Sequence, residues 1–110
     1  MKEIKIGEKK VKLEANGATP REYRKEFGRD IFVDVNRAYS GSDEHEMETI
    51  AAEMVENLAY IMARQAGSAK GSIEDFLMQF KPNDIRLAEM DIVNVWNDSF
   101  ETTEETKKNR

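Results

Sequence analysis

DEHEMETIAAEMVENLAYIMARQA, residues 43 to 66, reads as one long helix with a single apolar face. Met47, Ile50, Ala51, Met54, Val55, Leu58, Ile61 and Met62 recur at spacings of three and four, the period of a half-buried helix. No proline or glycine interrupts the run. Asp43 stands at the N-cap, with Glu44, Glu46 and Glu48 near the positive end of the helix dipole and Arg64 near its negative end. Gly67 offers the left-handed residue that commonly closes a helix. At 1.5 Å per residue the stretch spans about 36 Å, the width of a small domain, so the other elements must pack against this rod.

Upstream, Ser40-Gly41-Ser42 forms a loop into the helix, preceded by a segment that Asp30 can cap, with Ile31, Phe32, Val35 and Tyr39 as its apolar side. Its β-branched residues leave a strand open as an alternative. TPRE, from Thr19, carries a capping-box pattern with Pro20 at the first helical position and Glu22 third; Tyr23 and Phe27 share a face, and Gly28 ends the helix. Asn16-Gly17 is a turn. Residues 2–15 alternate apolar and charged residues in two runs around GEKK and read as a β-hairpin. A Gly7-Glu8 loop would oppose Ile4 with Val11; a loop centred on Glu8-Lys9 would oppose Ile4 with Leu13.

Downstream, Ser72 and Asp75 frame a second capping box opening SIEDFLMQF, with Phe76, Leu77 and Phe80 as buried positions; Pro82 ends it. A last helix is expected from about Asp84 to Phe100, with Ile85, Ala88, Ile92, Val93, Trp96 and Phe100 on one stripe. The expected fold is therefore mainly α with a small N-terminal β-hairpin, a compact helical domain over residues 1–100 built on one long central helix. Residues 101–110 read as a flexible polar tail.

The chain has 110 residues, 35% charged and 39% apolar, which suits one globular domain. It has no cysteine, which excludes disulfides and thiolate metal sites and makes a reducing cytoplasm its simplest home. No apolar run approaches a membrane span, and MKEIKIGEKK lacks a signal-peptide core. The net charge of −5 is polarised: residues 1–42 carry ten Lys/Arg against seven Asp/Glu, whereas residues 43–110 carry seven against fifteen. Such polarity suits head-to-tail self-association or a basic partner, and disfavours a DNA backbone on the acidic part.

Catalytic signatures are missing. His45 is the sole histidine, and its acidic neighbours Asp43, Glu44 and Glu46 point to different sides of a helix; His45 and Glu48 share a face without further ligands. Gly67 and Gly71 bracket a turn without the Lys-Ser/Thr of a phosphate loop. No enzymatic activity, cofactor or metal is expected. The basic residues Arg21, Arg24, Lys25 and Arg29 surround Tyr23 and Phe27, a small patch of nucleic-acid type, but Glu22 and Glu26 interleave and can pair along the helix. Met47, Met54, Met62, Met78 and Met90 lie on or beside helical stripes, where they read as core or as an adaptable binding face. Met47, Ile50, Met54, Leu58, Met62, Tyr23 and Phe27 are the candidate partner-binding residues.

TPREYRKEFGRDIF, LAYIMARQA, SIEDFLMQF and the ending VWNDSFETTEETKKNR together resemble the tail assembly chaperone family of long-tailed phages and prophages of Gram-positive bacteria. The resemblance runs from the hairpin to the last residue and is most specific over residues 19–31. It implies a small helical protein of the host bacterial cytoplasm, absent from the mature virion. Such a protein binds the tape-measure protein, keeps it soluble, and helps recruit tail-tube subunits during tail morphogenesis. Many members of the family are made in two lengths by ribosomal frameshifting, and Lys107-Lys108-Asn109 can be encoded AAA AAA AAC, which contains a slippery heptamer; an ordinary polar tail spelled with other codons is the alternative. Against the family, Val33-Asp34-Val35-Asn36 and Tyr39 interrupt an expected regular helix. A small helical DNA-binding or regulatory protein of a prophage is the alternative; it would need an exposed basic recognition helix.

Overall fold

The computed structural model describes residues 1–101. The tail from residue 102, with Lys107-Lys108-Asn109, lies outside the described residues. Two strands, β1 (Lys2–Ile6) and β2 (Lys9–Leu13), pair antiparallel, followed by α1 (Thr19–Phe27), α2 (Ile31–Ser40), α3 (Glu44–Gln65), α4 (Ile73–Leu77), α5 (Asp84–Leu87) and α6 (Glu89–Asp98). The fold is mainly helical with an N-terminal hairpin, and α3 is its hub: α1, α2, α4, α5, α6 and β2 all pack on it.

The hairpin takes the register that opposes Ile4 with Val11. Gly7 fixes that choice. It turns with φ +62°, and a Cβ there would stand 2.3 Å from the Asp84 carboxylate, which also accepts from the Lys81 backbone N–H at 2.9 Å. One glycine thus makes the hairpin tip and locks it to the start of α5. Ile6, Val11 and Leu13 turn inward, with β2 packed on α3 and β1 on α5 and α6, and the Glu14 N–H donates to the Met62 carbonyl at 2.9 Å.

The central helix departs from the single-face reading. Its first turns bury one side, but Asn57 to Ala63 are buried all round, because the hairpin, α1 and α6 enclose that half. A surface helix would leave Ala59, Tyr60 and Ala63 half in water; here they are core.

Segment 31–40 is a regular helix, not a strand. The Asp30 carboxylate accepts from the Phe32 and Val33 backbone N–H groups and sets its start. Its inward face differs from the expected one: Ile31, Asp34 and Ala38 are buried, while Phe32 and Val33 are each 52% exposed. The buried Asp34 is held by Arg29, which donates to both carboxylate oxygens at 2.8 and 2.9 Å, and by the Tyr23 hydroxyl at 2.8 Å.

The capping box expected at Thr19 does not form. The Thr19 hydroxyl is buried; it accepts from the Asn16 backbone N–H and donates to the Gln65 side chain, tying the start of α1 to the end of α3. Glu22 instead reaches Arg64 and Lys25. The second box, Ser72 with Asp75, forms as read, but α4 stops at Leu77 rather than continuing to Phe80. The single helix expected from Asp84 to Phe100 is two, α5 and α6, separated at Ala88, which leaves α-helical geometry with φ −91° and ψ 5°. The stripe survives the break, since Ile85, Ala88, Ile92, Val93 and Trp96 are buried, but Phe100 is exposed.

Candidate functional site

Four of the seven residues proposed from sequence to bind a partner are core. Tyr23, Met54, Leu58 and Met62 are each at most 1% exposed, because α1, α2, α6 and the hairpin close over this part of the molecule, so in this fold they pack in the core rather than lie open on the surface. Met47, Ile50 and Phe27 are half-buried. Phe27 stands edge-on to Tyr23 at 5.1 Å and reads as packing. Met78 and Met90 are exposed rather than core.

Of the four basic residues in and just after α1, Lys25 and Arg29 form ion pairs, whereas Arg21 and Arg24 form none among the described residues. Lys25 pairs with Glu22, Arg29 with Asp34, and Arg64 of α3 meets Glu22 and Glu26. With Tyr23 buried, the half-buried Phe27 is the one aromatic of that patch with an exposed edge, and it packs on Tyr23. Among the described residues no group of three His, Cys, Asp or Glu could hold a metal ion, and no helix is long and apolar enough to cross a membrane.

What the surface does offer is an open groove of about 570 Å³ between the end of α2, the first half of α3 and the α4–α5 connection. Its floor is a row of α3 residues four apart, Met47, Ala51 and Val55. The opposite wall is Leu77, Phe80, Pro82 and Ile85. That wall is held from beneath by a relay of rings: Tyr60 on α3 meets Phe76 at 5.9 Å, and Phe76 meets Phe80 edge-on at 5.2 Å. Tyr60 also donates its hydroxyl to the Gly71 carbonyl, which fixes the loop into α4. Across the groove the Tyr39 hydroxyl donates to Glu89 at 2.9 Å, joining α2 to α6. Burial raises the Tyr39 hydroxyl's pKa, and the Glu89 carboxylate reinforces the shift.

The rim is charged. Glu44, Glu48 and Glu56 line it from α3, Glu89 from α6, and Lys81 and Arg86 from the α4–α5 side. Partial burial, then the charge of Glu53, holds the Glu56 carboxyl above its ordinary pKa. Of the seven residues picked from sequence to bind a partner, only Met47 reaches this groove; Ala51 and Val55 follow it on the same helix, and the opposite wall comes from elements brought against α3 by folding. An apolar trough with a polar rim and no catalytic grouping can bind and shield apolar side chains.

A second apolar feature lies on the α2–α6 side. Phe32 packs at 5.5 Å on Trp96 and at 6.1 Å on Phe100, and both phenylalanines remain about half exposed. No protein-family model matches the chain, nor does any curated protein or solved structure.

Proposed function

We propose that this protein is a tail assembly chaperone of a phage or prophage, which binds the tape-measure protein in the host cytoplasm and keeps it soluble while tail-tube subunits are recruited. The resemblance of residues 19–31 and of the later helical segments supplies the family. The groove over Met47, Ala51 and Val55 is the observation that carries the binding role. It is an unfilled apolar trough of the kind in which the apolar face of a partner helix is covered.

Co-expression tests the reading. With the tape-measure protein encoded beside it, the chain keeps that partner in the soluble fraction; Ala52→Trp, at an exposed groove position, abolishes the effect while circular dichroism stays unchanged. A partner that precipitates equally with and without the chain rejects the proposal, as does a gene neighbourhood without a tail protein and a very long coiled-coil gene. The same reading includes self-association, supported by the charge polarity and by exposed Phe32, Val33 and Phe100. Light scattering in low salt decides it, and a monomer at high micromolar concentration counts against it.

A further inference from the structure

The acidic charges around the groove are concentrated on α3, with Glu89 of α6 also on the rim and bonded by the Tyr39 hydroxyl. Glu44, Glu48, Ala52 and Glu56 form one row of α3, four residues apart, beside the apolar row of Met47, Ala51 and Val55. From Glu44 to Glu56 the acidic row runs about 18 Å, three and a third helical turns. Among the described residues none of these three glutamates takes part in an ion pair, although Glu46, on another face, pairs with Arg37. Lys81 and Arg86, on the opposite wall, are likewise without an ion pair among the described residues. Ala51 and Ala52 keep the two rows low between the larger side chains. A second helix can therefore lay a ridge of its own along them, as ridges fill grooves in helix packing.

We propose that the groove binds an amphipathic α-helix whose apolar stripe is edged by a row of Lys or Arg on the side facing α3. This rests on the chaperone reading for the source of the helix, a segment of the tape-measure protein. The unpaired carboxylates supply the charge complement, and a cation beside Glu56 relieves its repulsion with Glu53. Lys81, on the α4–α5 wall, disfavours a cation on the other edge of the guest helix, whereas Arg86 also borders Glu48 and Glu56 and does not distinguish the edges.

Two synthetic helical peptides of about five turns, roughly 18 residues, test the inference on the intact protein. Both carry the same Leu/Ala stripe; one bears lysines along one edge, its twin glutamates at the same positions. Fluorescence anisotropy at low ionic strength is expected to show binding of the lysine peptide, at least tenfold weaker binding of the twin, and loss of the difference at about 0.5 M salt. Glu48→Lys with Glu56→Lys reverses the preference. Ala52→Trp, which leaves the charge intact, blocks the lysine peptide. Equal binding of both peptides, binding of neither, or binding unaffected by Ala52→Trp overturns the inference. So does a salt-dependent dimer that requires Glu48 and Glu56 and excludes the peptide, because the occupant is then a second copy of the chain. If the lysine peptide binds as expected while the tape-measure protein still precipitates, the chaperone reading alone falls.

Discussion

Arg29 grips Asp34 by both carboxylate oxygens, at 2.8 and 2.9 Å, across the junction of α1 and α2. Asp34 is 3% exposed and its carboxylate also receives the Tyr23 hydroxyl, so groups from α1, α2 and the connection between them meet at one buried charge. Burial alone would raise the Asp34 pKa; the hydrogen bonds from Arg29 and Tyr23 outweigh it and bring the carboxyl below its ordinary range. Burial pushes the Tyr23 hydroxyl up, and the Asp34 carboxylate adds to the shift.

Asp34→Ala is accordingly expected to cost about 3 kcal/mol, the lower end for a broken buried pair because Arg29 can turn to water. Urea denaturation reads this, and a cost under about 1 kcal/mol would show that the grip contributes little. The folded state binds fewer protons at Asp34 than the unfolded chain does. The stability it confers is thus present above the ordinary carboxylate pKa and lost as pH falls through the lowered one. Asp34→Asn should flatten the acid limb of the stability profile below about pH 4.

Glu56 works in the other direction. Its carboxyl is raised by burial and by Glu53, so the folded protein holds that proton more tightly than the unfolded chain. Stability from this group is present at low pH and lost as pH rises through the raised pKa. Glu56→Gln should therefore raise the melting temperature at neutral pH and leave it unchanged near pH 3. A melting temperature lowered at neutral pH would contradict this account.

Trp96 is 2% exposed and is flanked by Phe32 and by Phe100, the latter edge-on at 4.9 Å. Trp96→Ala should cost about 3–5 kcal/mol, the range for removing a fully packed aromatic ring. A loss of under about 1 kcal/mol in chemical denaturation would mean that the ring is not packed as described.

Gly7→Ala should destabilise by about 1–3 kcal/mol, because the residue sits at φ +62° and an added Cβ meets the Asp84 carboxylate. The double variant Gly7→Ala with Asp84→Ala separates the two causes. It recovers the steric part and leaves the cost of the backbone conformation, and no recovery at all would assign the whole effect to φ.

Much of this architecture was legible because local signals agreed with one another. The three- and four-residue spacing in α3, the alternation in the hairpin, and the caps at Asp30, Asp43 and Ser72 all gave elements that the structure contains. Reading failed where a distant partner overrode the local pattern. Asp34 is a charged residue, and periodicity assigns it to solvent; it lies inward because Arg29 and Tyr23 await it, so the burial face of α2 shifts and Phe32 is left outside. Thr19 looked like a cap, but its hydroxyl is taken by Gln65, 46 residues on. The break at Ala88 has no proline or glycine to announce it. One side of the groove was visible through Met47, whereas Phe80, Pro82 and Ile85 reach it only through packing that no short window contains.

The unequal enclosure of α3 along its length has a further consequence, for motion. Residues 57–63 are sealed on every side and bonded to the hairpin, so their amides should exchange with solvent only when the whole domain opens. From Glu44 to Glu53 the helix is covered on one flank, chiefly by α2, and should fray in smaller, cheaper openings. The groove floor at Met47 and Ala51 belongs to that looser end. A single unbroken helix is thus anchored at one end and compliant at the other, and a guest docking at the compliant end would slow exchange there first.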